Sequence, residues 1–201
     1  MNKPLQMPMF TPETEWVPPL NLPDLKEYPE IAIDLETRDP GLMTMGSGAI
    51  SGNGEVVGIA VAVEGWSGYF PIAHEGGGNM DRALVLDWFE EVLHTEATKI
   101  FHNAMYDVSW IRAMGFQING GIIDTMIAAS LVNENRWSFT LDSISKEYIG
   151  MGKNEKILAE AAKAWGVNPK AEMWRLPAPL VGEYAERDAE VTLKLWHAMK
   201  H

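Results

Sequence analysis

The stretch Ile31-Ala32-Ile33-Asp34-Leu35-Glu36-Thr37 decides the fold of this chain. Its β-branched isoleucines alternate with other residues, and this pattern predicts a half-buried strand over residues 31–36. Side chains two positions apart on a strand share a face, so Asp34 and Glu36 point the same way, about 7 Å apart. Two acids held so close repel each other unless a cation lies between them. From this stretch alone, a solvated strand edge is the alternative.

The composition places the chain among ordinary globular proteins. Of its 201 residues, 46% are hydrophobic and 22% are charged, which is enough for one domain with a sizeable core. The absence of cysteine excludes disulfides, thiolate zinc sites and cysteine nucleophiles. No apolar run is long enough to span a membrane, and no signal sequence begins the chain. We therefore expect a cytoplasmic protein.

The net charge of −12 bears on mechanism. Proteins that bind nucleic acid by themselves usually neutralise phosphate with Lys and Arg, so this charge argues against a simple nucleic-acid-binding protein. An enzyme that meets phosphate through metal ions held by carboxylates remains compatible with it.

The N-terminal half divides into an arm, a strand meander and a long loop. Residues 1–29 contain seven of the twelve prolines and no apolar period, which predicts an extended Pro-rich arm before a domain over 30–201. Residues 38–54 are rich in Gly, Met and Ser and predict a long loop. Strands predicted at 56–63 and 68–73 would form an antiparallel meander with the first strand.

The C-terminal half alternates short strands with helices. Strands are predicted at 99–102 and 121–123, and Asp124 is predicted to cap the helix that follows the second of them. The predicted helices cover 81–94, 103–111, 125–132, 141–149, 154–165 and 179–200. Strands first and alternation afterwards predict an α/β sheet with a meander on one side.

Two further pairs of polar residues lie where apolar ones are expected. Asn103 and Asp107 are four apart and share one face of a helix, as do Tyr184 and Asp188. Asp188 interrupts an apolar stripe, and a buried carboxylate needs a partner. Each pair also has a structural explanation: a helix cap, a solvated acid, a core aromatic, or an ion pair of Asp188 with a neighbouring Arg or Lys.

Taken together, these pairs form a known pattern. The chain resembles the proofreading 3′→5′ exonuclease domain of family A DNA polymerases, within the superfamily of four-acid exonucleases. The three motifs that carry the resemblance occur in order at 33–37, 102–107 and 184–189, and the tyrosine four residues before the last aspartate marks the tyrosine-bearing branch. The resemblance covers about residues 28–198. It implies a ribonuclease-H-like fold, a mixed five-stranded sheet flanked by helices.

The resemblance also implies a site and a reaction. Two Mg²⁺ or Mn²⁺ ions would be held by Asp34, Glu36, Asp107 and Asp188, and Tyr184 would orient the attacking water. Substrate contacts are implied for Leu35, Thr37 and Asn103, with helix capping an equal alternative for Asn103. The substrate would be a single-stranded or frayed DNA 3′ end, and a polymerase domain or subunit would be the partner. Because family A polymerases continue beyond this last helix, an excised domain or a short phage-type protein is expected.

Two alternatives remain open at this point. An exoribonuclease of the same superfamily would use the same acids, and a catalytically silent module would only bind DNA or dock a polymerase. Among the remaining residues, His102 and Asp124 are predicted to be structural, and Glu183 and Glu186 to lie on a solvated helix face. Phe101, Met105 and Tyr106 are predicted to pack in the core or to stack on bases.

Overall fold

A five-stranded sheet with the strand order β3-β2-β1-β4-β5 forms the centre of the molecule in the computed structural model, which describes residues 8–152 and 154–200. The strands are β1 Glu30–Arg38, β2 Glu55–Val63, β3 Trp66–Pro71, β4 Thr98–Phe101 and β5 Ile122–Asp124. β1, β2 and β3 are antiparallel, whereas β4 runs parallel to β1 and to β5. The predicted meander and the predicted mixed five-stranded sheet are both confirmed.

The helices follow the predicted order with ends that differ by a few residues. They are α1 Leu42–Met45, α2 Gly48–Ser51, α3 Arg82–His94, α4 Ala104–Ala113, α5 Thr125–Val132, α6 Leu141–Ile149, α7 Lys156–Trp165 and α8 Gly182–Met199. Two 3₁₀ turns, Met173–Arg175 and Ala178–Leu180, precede α8.

The predicted loop 38–54 is the main local difference, because it contains the one-turn helices α1 and α2. Side chains within the segment stabilise α2. The Ser47 hydroxyl accepts a hydrogen bond from Ala49 N–H, and the Asp39 carboxylate accepts one from Gly48 N–H at 3.0 Å. Such short capped turns carry no apolar period that a sequence pattern could detect.

The alternation along β1 separates two cores. Ile31, Ile33 and Leu35 are buried in the core that α3 covers. Ala32 lies on the opposite face, in the core that α8 covers. Since Asp34 and Glu36 follow Ala32 at period two, the sequence places both carboxylates on the α8 side of the sheet.

Small residues let α8 lie close to that face. Ala60 and Ala62 on β2 and Ala185 and Ala189 on α8 are all buried in the same core. α8 packs against β1, β2 and β3. Short side chains permit a close helix–sheet approach, and Asp188 is buried between Ala185 and Ala189 on the helix that covers this face.

A cluster around Glu30 fixes the far end of α8 to the start of β1. The Glu30 carboxylate accepts hydrogen bonds from Trp196 at 3.0 Å, His197 at 2.7 Å and Lys200 at 2.9 Å. Although partial burial raises the pKa of Glu30, these donors outweigh it and hold the pKa at about 2. The cluster therefore sets the position of α8 along β1.

The described part of the N-terminal arm, residues 8–29, contains no helix or strand and packs along the domain. Leu25 is buried, the Trp88 indole N–H donates to the Pro23 carbonyl at 2.7 Å, and the Trp16 ring lies 6.0 Å from that of Tyr69. The first seven residues of the predicted arm lie outside the described residues, and the arm–domain boundary after residue 29 stays a prediction. Within the described ranges, no helix has the length and apolar character needed to cross a membrane.

Candidate active site

Asp34 and Glu36 lie on the central strand beneath α8. Asp34 is half-buried opposite Ala60, and Glu36 is buried opposite Gly58. The pairing of β1 with β2 shifts register directly after Glu36. Such an irregularity bends a strand and re-aims its side chains, and here it lies beside the carboxylates.

Tyr69 crosses β2 at Gly58. A Cβ atom at Gly58 would lie only 1.9 Å from the Tyr69 hydroxyl oxygen, so a side chain at position 58 would displace the ring. The Tyr69 hydroxyl lies 2.6 Å from Nε2 of His74, and His74 Nδ1 lies 3.0 Å from the Leu176 carbonyl. Because a carbonyl only accepts, Nδ1 carries the proton, and the Tyr69 hydroxyl donates to Nε2.

Burial determines the charge state of this pair. It lowers the pKa of His74 to about 4, so the imidazole is neutral at pH 7. Burial, together with the charges of Glu36 and Asp34, raises the pKa of Tyr69. We did not identify either residue as part of the site from the sequence. Gly58, a glycine inside a β-branched strand, was the available signal of a close approach.

Asp107 lies on α4 and is buried, so it is not the solvated helix acid of the structural alternative. Its Oδ1 accepts a hydrogen bond from the Leu35 backbone N–H at 2.9 Å, which joins α4 to β1. Burial, and next the charge of Asp34, raise the pKa of Asp107. The structure thus brings the first two predicted motifs together.

Asp124 positions the start of α4. Its carboxylate accepts hydrogen bonds from the backbone N–H groups of Asn103 at 3.0 Å, Ala104 at 2.8 Å and Met126 at 2.9 Å. Asp124 therefore caps α5 as predicted, and it also holds the first turn of α4. The sequence did not predict that second role.

Asn103 has the N-cap position of α4, but its side chain makes no capping bond, so the capping alternative is wrong for the side chain. Its backbone is left-handed, with φ of 66°, a conformation that Asn tolerates better than most residues. The side chain is exposed next to the site, and its contact with substrate stays a prediction.

Tyr184 and Asp188 approach from α8. Asp188 is buried, and Tyr184 is half-buried with its hydroxyl hydrogen-bonded to Asp188. Burial raises the pKa of Tyr184, and the charges of Asp188, Glu36 and Asp34 raise it further. The Tyr184 hydroxyl is therefore neutral at pH 7 and acts as a hydrogen-bond donor.

The predicted substrate residues on β1 differ in exposure. The Leu35 side chain lies in the core on the opposite face of the sheet and its backbone N–H is bonded to Asp107, and its contact with substrate stays a prediction. The Thr37 hydroxyl lies 2.7 Å from the Tyr106 hydroxyl, and Tyr106 also donates to Asp39 at 3.1 Å. Tyr106 thus connects β1, α4 and the segment before α1. Its ring packs against the core, which is the first of its two predicted roles.

Of the remaining residues considered from the sequence, His102 and Phe101 have structural positions and Met105 is exposed. His102 is structural, because its imidazole lies between the Thr125 hydroxyl at 2.8 Å and the Phe139 carbonyl at 3.0 Å. Phe101 is fully buried in the core, whereas Met105 is exposed.

Glu183 is exposed, as predicted, whereas the prediction for Glu186 is wrong. Glu186 is half-buried and accepts a hydrogen bond from Tyr69 N–H at 3.1 Å, and burial raises its pKa. The edge of β3 offers this N–H donor, and only the packing of α8 beside that edge makes the contact.

The donors around Asp34 suit a hard divalent cation. All four predicted ligands are carboxylates, the ligand type that Mg²⁺ and Mn²⁺ prefer, and the chain has no cysteine to favour softer metals. In the part of the chain that the structure describes, no three Asp, Glu or His side chains are yet gathered closely enough to hold an ion. A buried acid such as Asp107, whose pKa is raised by burial and by the charge of Asp34, is stabilised in its ionised form by a cation, so the donor set fits one in kind.

Comparison with known proteins identifies a family and several relatives. A family model described as 3′-5′ exonuclease, that of the exonuclease domain of family A DNA polymerases, matches residues 22–201. The DNA-directed DNA polymerase of Pseudomonas phage M6 is 37% identical in an alignment of 204 positions, which covers 95% of this chain and 30% of that protein. DNA polymerase DpoZ of Salmonella phage PMBT28 is 31% identical over 87% of this chain and 27% of its own length. The chain thus spans less than a third of these relatives.

Solved structures share the fold at low identity. Trypanosoma brucei RNase D matches with a TM-score of 0.63 at 16% identity, over 87% of this chain and 58% of that one. Brucella melitensis NrnC with bound Mg²⁺ matches with a TM-score of 0.58 at 19% identity, over 88% and 74%. The family model and the phage relatives decide the family: the chain belongs to the 3′-5′ exonuclease domains of family A DNA polymerases.

Proposed function

We propose that this exonuclease domain removes nucleotides one at a time from DNA 3′ ends and releases nucleoside 5′-monophosphates. One observation carries the proposal: Glu36, Asp107 and Asp188 are buried, and the charge of Asp34 raises the pKa of both Asp107 and Tyr184, whose hydroxyl stays protonated. The preference for DNA rests on the relatives, which are named DNA polymerases.

The four carboxylates would hold two Mg²⁺ or Mn²⁺ ions. Asp34, Glu36 and Asp188 would hold one ion, and Asp34 with Asp107, through water, the other. When bound, such ions neutralise the phosphate, activate water and stabilise the departing oxygen. A relative of this fold with bound Mg²⁺ is consistent with the assignment.

The chain's own side chains position the reactants. Tyr184, kept neutral by burial and neighbouring charge, orients the attacking water by hydrogen bonding and does not act as the base. The water oxygen bonds to phosphorus as the bond from phosphorus to the 3′ oxygen breaks, and a proton passes to that oxygen. Asp107 keeps one oxygen on Leu35 N–H, which fixes β1 relative to α4 during the reaction.

The substrate and partner follow from charge and from the relatives. A narrow acidic site favours a frayed or single-stranded 3′ end over a stacked duplex terminus. The relatives are named DNA polymerases and extend well beyond the matched region, so a polymerase domain or subunit is the proposed partner. The proposed location is the cytoplasm, which is that of the host if the chain is phage-encoded.

The direct test uses 5′-labelled single-stranded DNA with Mg²⁺, with and without chelator. We expect a ladder of shortened products that the chelator abolishes, and slower degradation of an RNA of the same sequence. Faster RNA degradation would establish the exoribonuclease alternative instead. If neither substrate is degraded while DNA still binds, the silent-module alternative is correct.

A further inference from the structure

Arg38 ends the strand that carries the central acids. It follows Asp34 and Glu36 at period two, and since the extra residue at the register shift, Val57, belongs to β2, the alternation of β1 continues to Arg38 on the α8 side of the sheet. At about 3.3 Å per residue, Arg38 lies about 7 Å beyond Glu36 along the strand. It is the one basic side chain of β1.

Trp174 fixes the direction of Arg38. The Arg38 guanidinium carbon lies 5.4 Å from the centroid of the Trp174 ring, a cation–π contact, and the Trp174 side chain is largely buried. Trp174 belongs to the 3₁₀ turn Met173–Arg175, which packs against β1. The guanidinium is thus held against a fixed ring.

The ion pairs of Arg38 are weak compared with those of other arginines near the site. Its Nε lies 3.7 Å from Glu55, a carboxylate that Arg82 also approaches at 3.9 Å, and 40% of the Arg38 side chain is exposed. By contrast, Arg175 is 9% exposed and bonds to Glu75 at 3.1 Å, and Arg187 bonds to Glu190 at 2.8 Å. A long, exposed ion pair contributes little stabilising free energy, so little is lost when Arg38 leaves Glu55 to bind a phosphate.

We propose that Arg38 binds the backbone phosphate one nucleotide to the 5′ side of the scissile phosphate; this rests on the proposed function. The planar guanidinium donates two parallel hydrogen bonds to phosphate oxygens, and stacking on Trp174 pre-orients it. Arg38 thus supplies a local cation in a chain whose net charge of −12 otherwise repels the strand. It is a substrate-binding residue that sets the register of the strand.

Equilibrium binding without hydrolysis tests the contact. In chelator, we expect Arg38→Gln to weaken binding of single-stranded DNA on the order of tenfold. The slope of log K against log salt should become shallower by about 0.7, the value for one lost phosphate contact on a single strand. The DNA affinity of Arg38→Lys should fall between those of the unmodified protein and Arg38→Gln. Equal thermal midpoints of unfolding would show that the variants are folded.

Arg82→Gln is the matched control, because it removes the other cation that pairs with Glu55. We expect its affinity and salt slope to equal those of the unmodified protein. If Arg38→Gln and Arg82→Gln weaken binding equally, or if the salt slope of Arg38→Gln is unchanged, the assignment of Arg38 is wrong.

A neutral linkage locates the phosphate. An oligonucleotide with one methylphosphonate at the penultimate linkage should bind the unmodified protein more weakly than its all-phosphate counterpart. Arg38→Gln should bind both oligonucleotides equally, since the variant lacks the guanidinium that would contact the penultimate phosphate. Equal losses for both proteins would overturn the proposal. Since no step requires cleavage, the result stands apart from the hydrolysis assay of the proposed function.

Discussion

At the scale of single residues, the central feature is one carboxylate that several groups sense. The charge of Asp34 contributes, after burial, to the raised pKa of Asp107 and to that of Tyr184. Mutual repulsion among buried acids is unfavourable for folding without metal. The repulsion therefore lowers the free energy of unfolding, and a bound cation would relieve it.

We expect Asp34→Ala to abolish detectable hydrolysis, because both proposed ion positions depend on this carboxylate. Its metal-free thermal midpoint should stay equal or rise, since one repelling charge is removed. Cleavage rates and thermal unfolding in chelator measure both effects, and Asp87→Ala, on the exposed face of α3, is the control. Retention of more than a few per cent of activity would contradict the two-ion assignment.

Tyr184→Phe should lose less activity than Asp188→Ala. An orienting hydroxyl contributes on the order of 10²- to 10⁴-fold at most, by analogy with general acid–base groups. The removal of a buried carboxylate that holds an ion should cost more. Single-turnover cleavage rates of the two variants decide the order, and equal loss would give Tyr184 an essential role beyond orientation.

At the scale of elements, Asp124 is one carboxylate that orders two helix starts. It bonds to N–H groups at the beginning of both α4 and α5. α4 carries Asp107, and α5 packs against α8. A capping residue of β5 thereby influences where a proposed metal ligand lies.

We expect Asp124→Ala to lower the free energy of unfolding by about 1–3 kcal/mol, since a lost cap costs about 1 kcal/mol and two are lost. Hydrolysis should fall as well, because the first turn of α4 loses its anchor. The control is Asp81→Ala, which removes the single cap of α3 on Leu84 N–H. Denaturant titration and cleavage rates should show lower stability in both variants, but lower activity only for Asp124→Ala. Full activity of a destabilised Asp124→Ala would refute this coupling.

At the scale of the whole molecule, the last helix packs on the first strand and is attached to the first residue of that strand. Near the middle of α8, Asp188 is buried on the side of the sheet that carries the β1 acids, and near its end the Glu30 cluster attaches the helix to the first residue of β1. Unpairing the cluster therefore affects the geometry of the whole face.

The Glu30 cluster predicts an acid-dependent loss of stability. The pKa of Glu30 is lowered from 4.5 to about 2 in the folded chain. A lowered pKa means that the contribution is complete above about pH 4.5 and is lost as the pH falls towards 2. Glu30→Gln should be less stable than the unmodified protein at pH 7, and this difference should shrink over that range. Thermal unfolding against pH measures it, and a difference independent of pH would refute the linkage.

The charge predicts how the isolated chain acts on DNA. With 16 Lys and Arg against 28 Asp and Glu, we expect about one to three neutralised phosphates and so a shallow salt slope. The chain should release DNA after one or a few nucleotides. Pre-bound labelled oligonucleotide, given Mg²⁺ together with excess unlabelled DNA, should yield products shortened only slightly. Long ladders from a single encounter would contradict this expectation.

The sequence by itself determined the succession of strands and helices along the chain, the antiparallel meander, the α/β class and the face of β1 that carries the acids. Those features depend on local periodicity: alternation placed Asp34 and Glu36 together, and the four-residue spacing placed Tyr184 beside Asp188. The cap at Asp124 was also legible, because an acid before a helix has a local function.

Only the tertiary structure decided which distant groups meet. It joined Leu35 N–H to Asp107, Tyr69 to His74, and Glu186 to the edge of β3. It also laid Arg38 on Trp174. These residue types are common and their spacings carry no period, so the contacts arise only when the helices and connecting segments pack on the sheet. Local patterns encode which side chains share a face, whereas packing between elements fixes what that face touches.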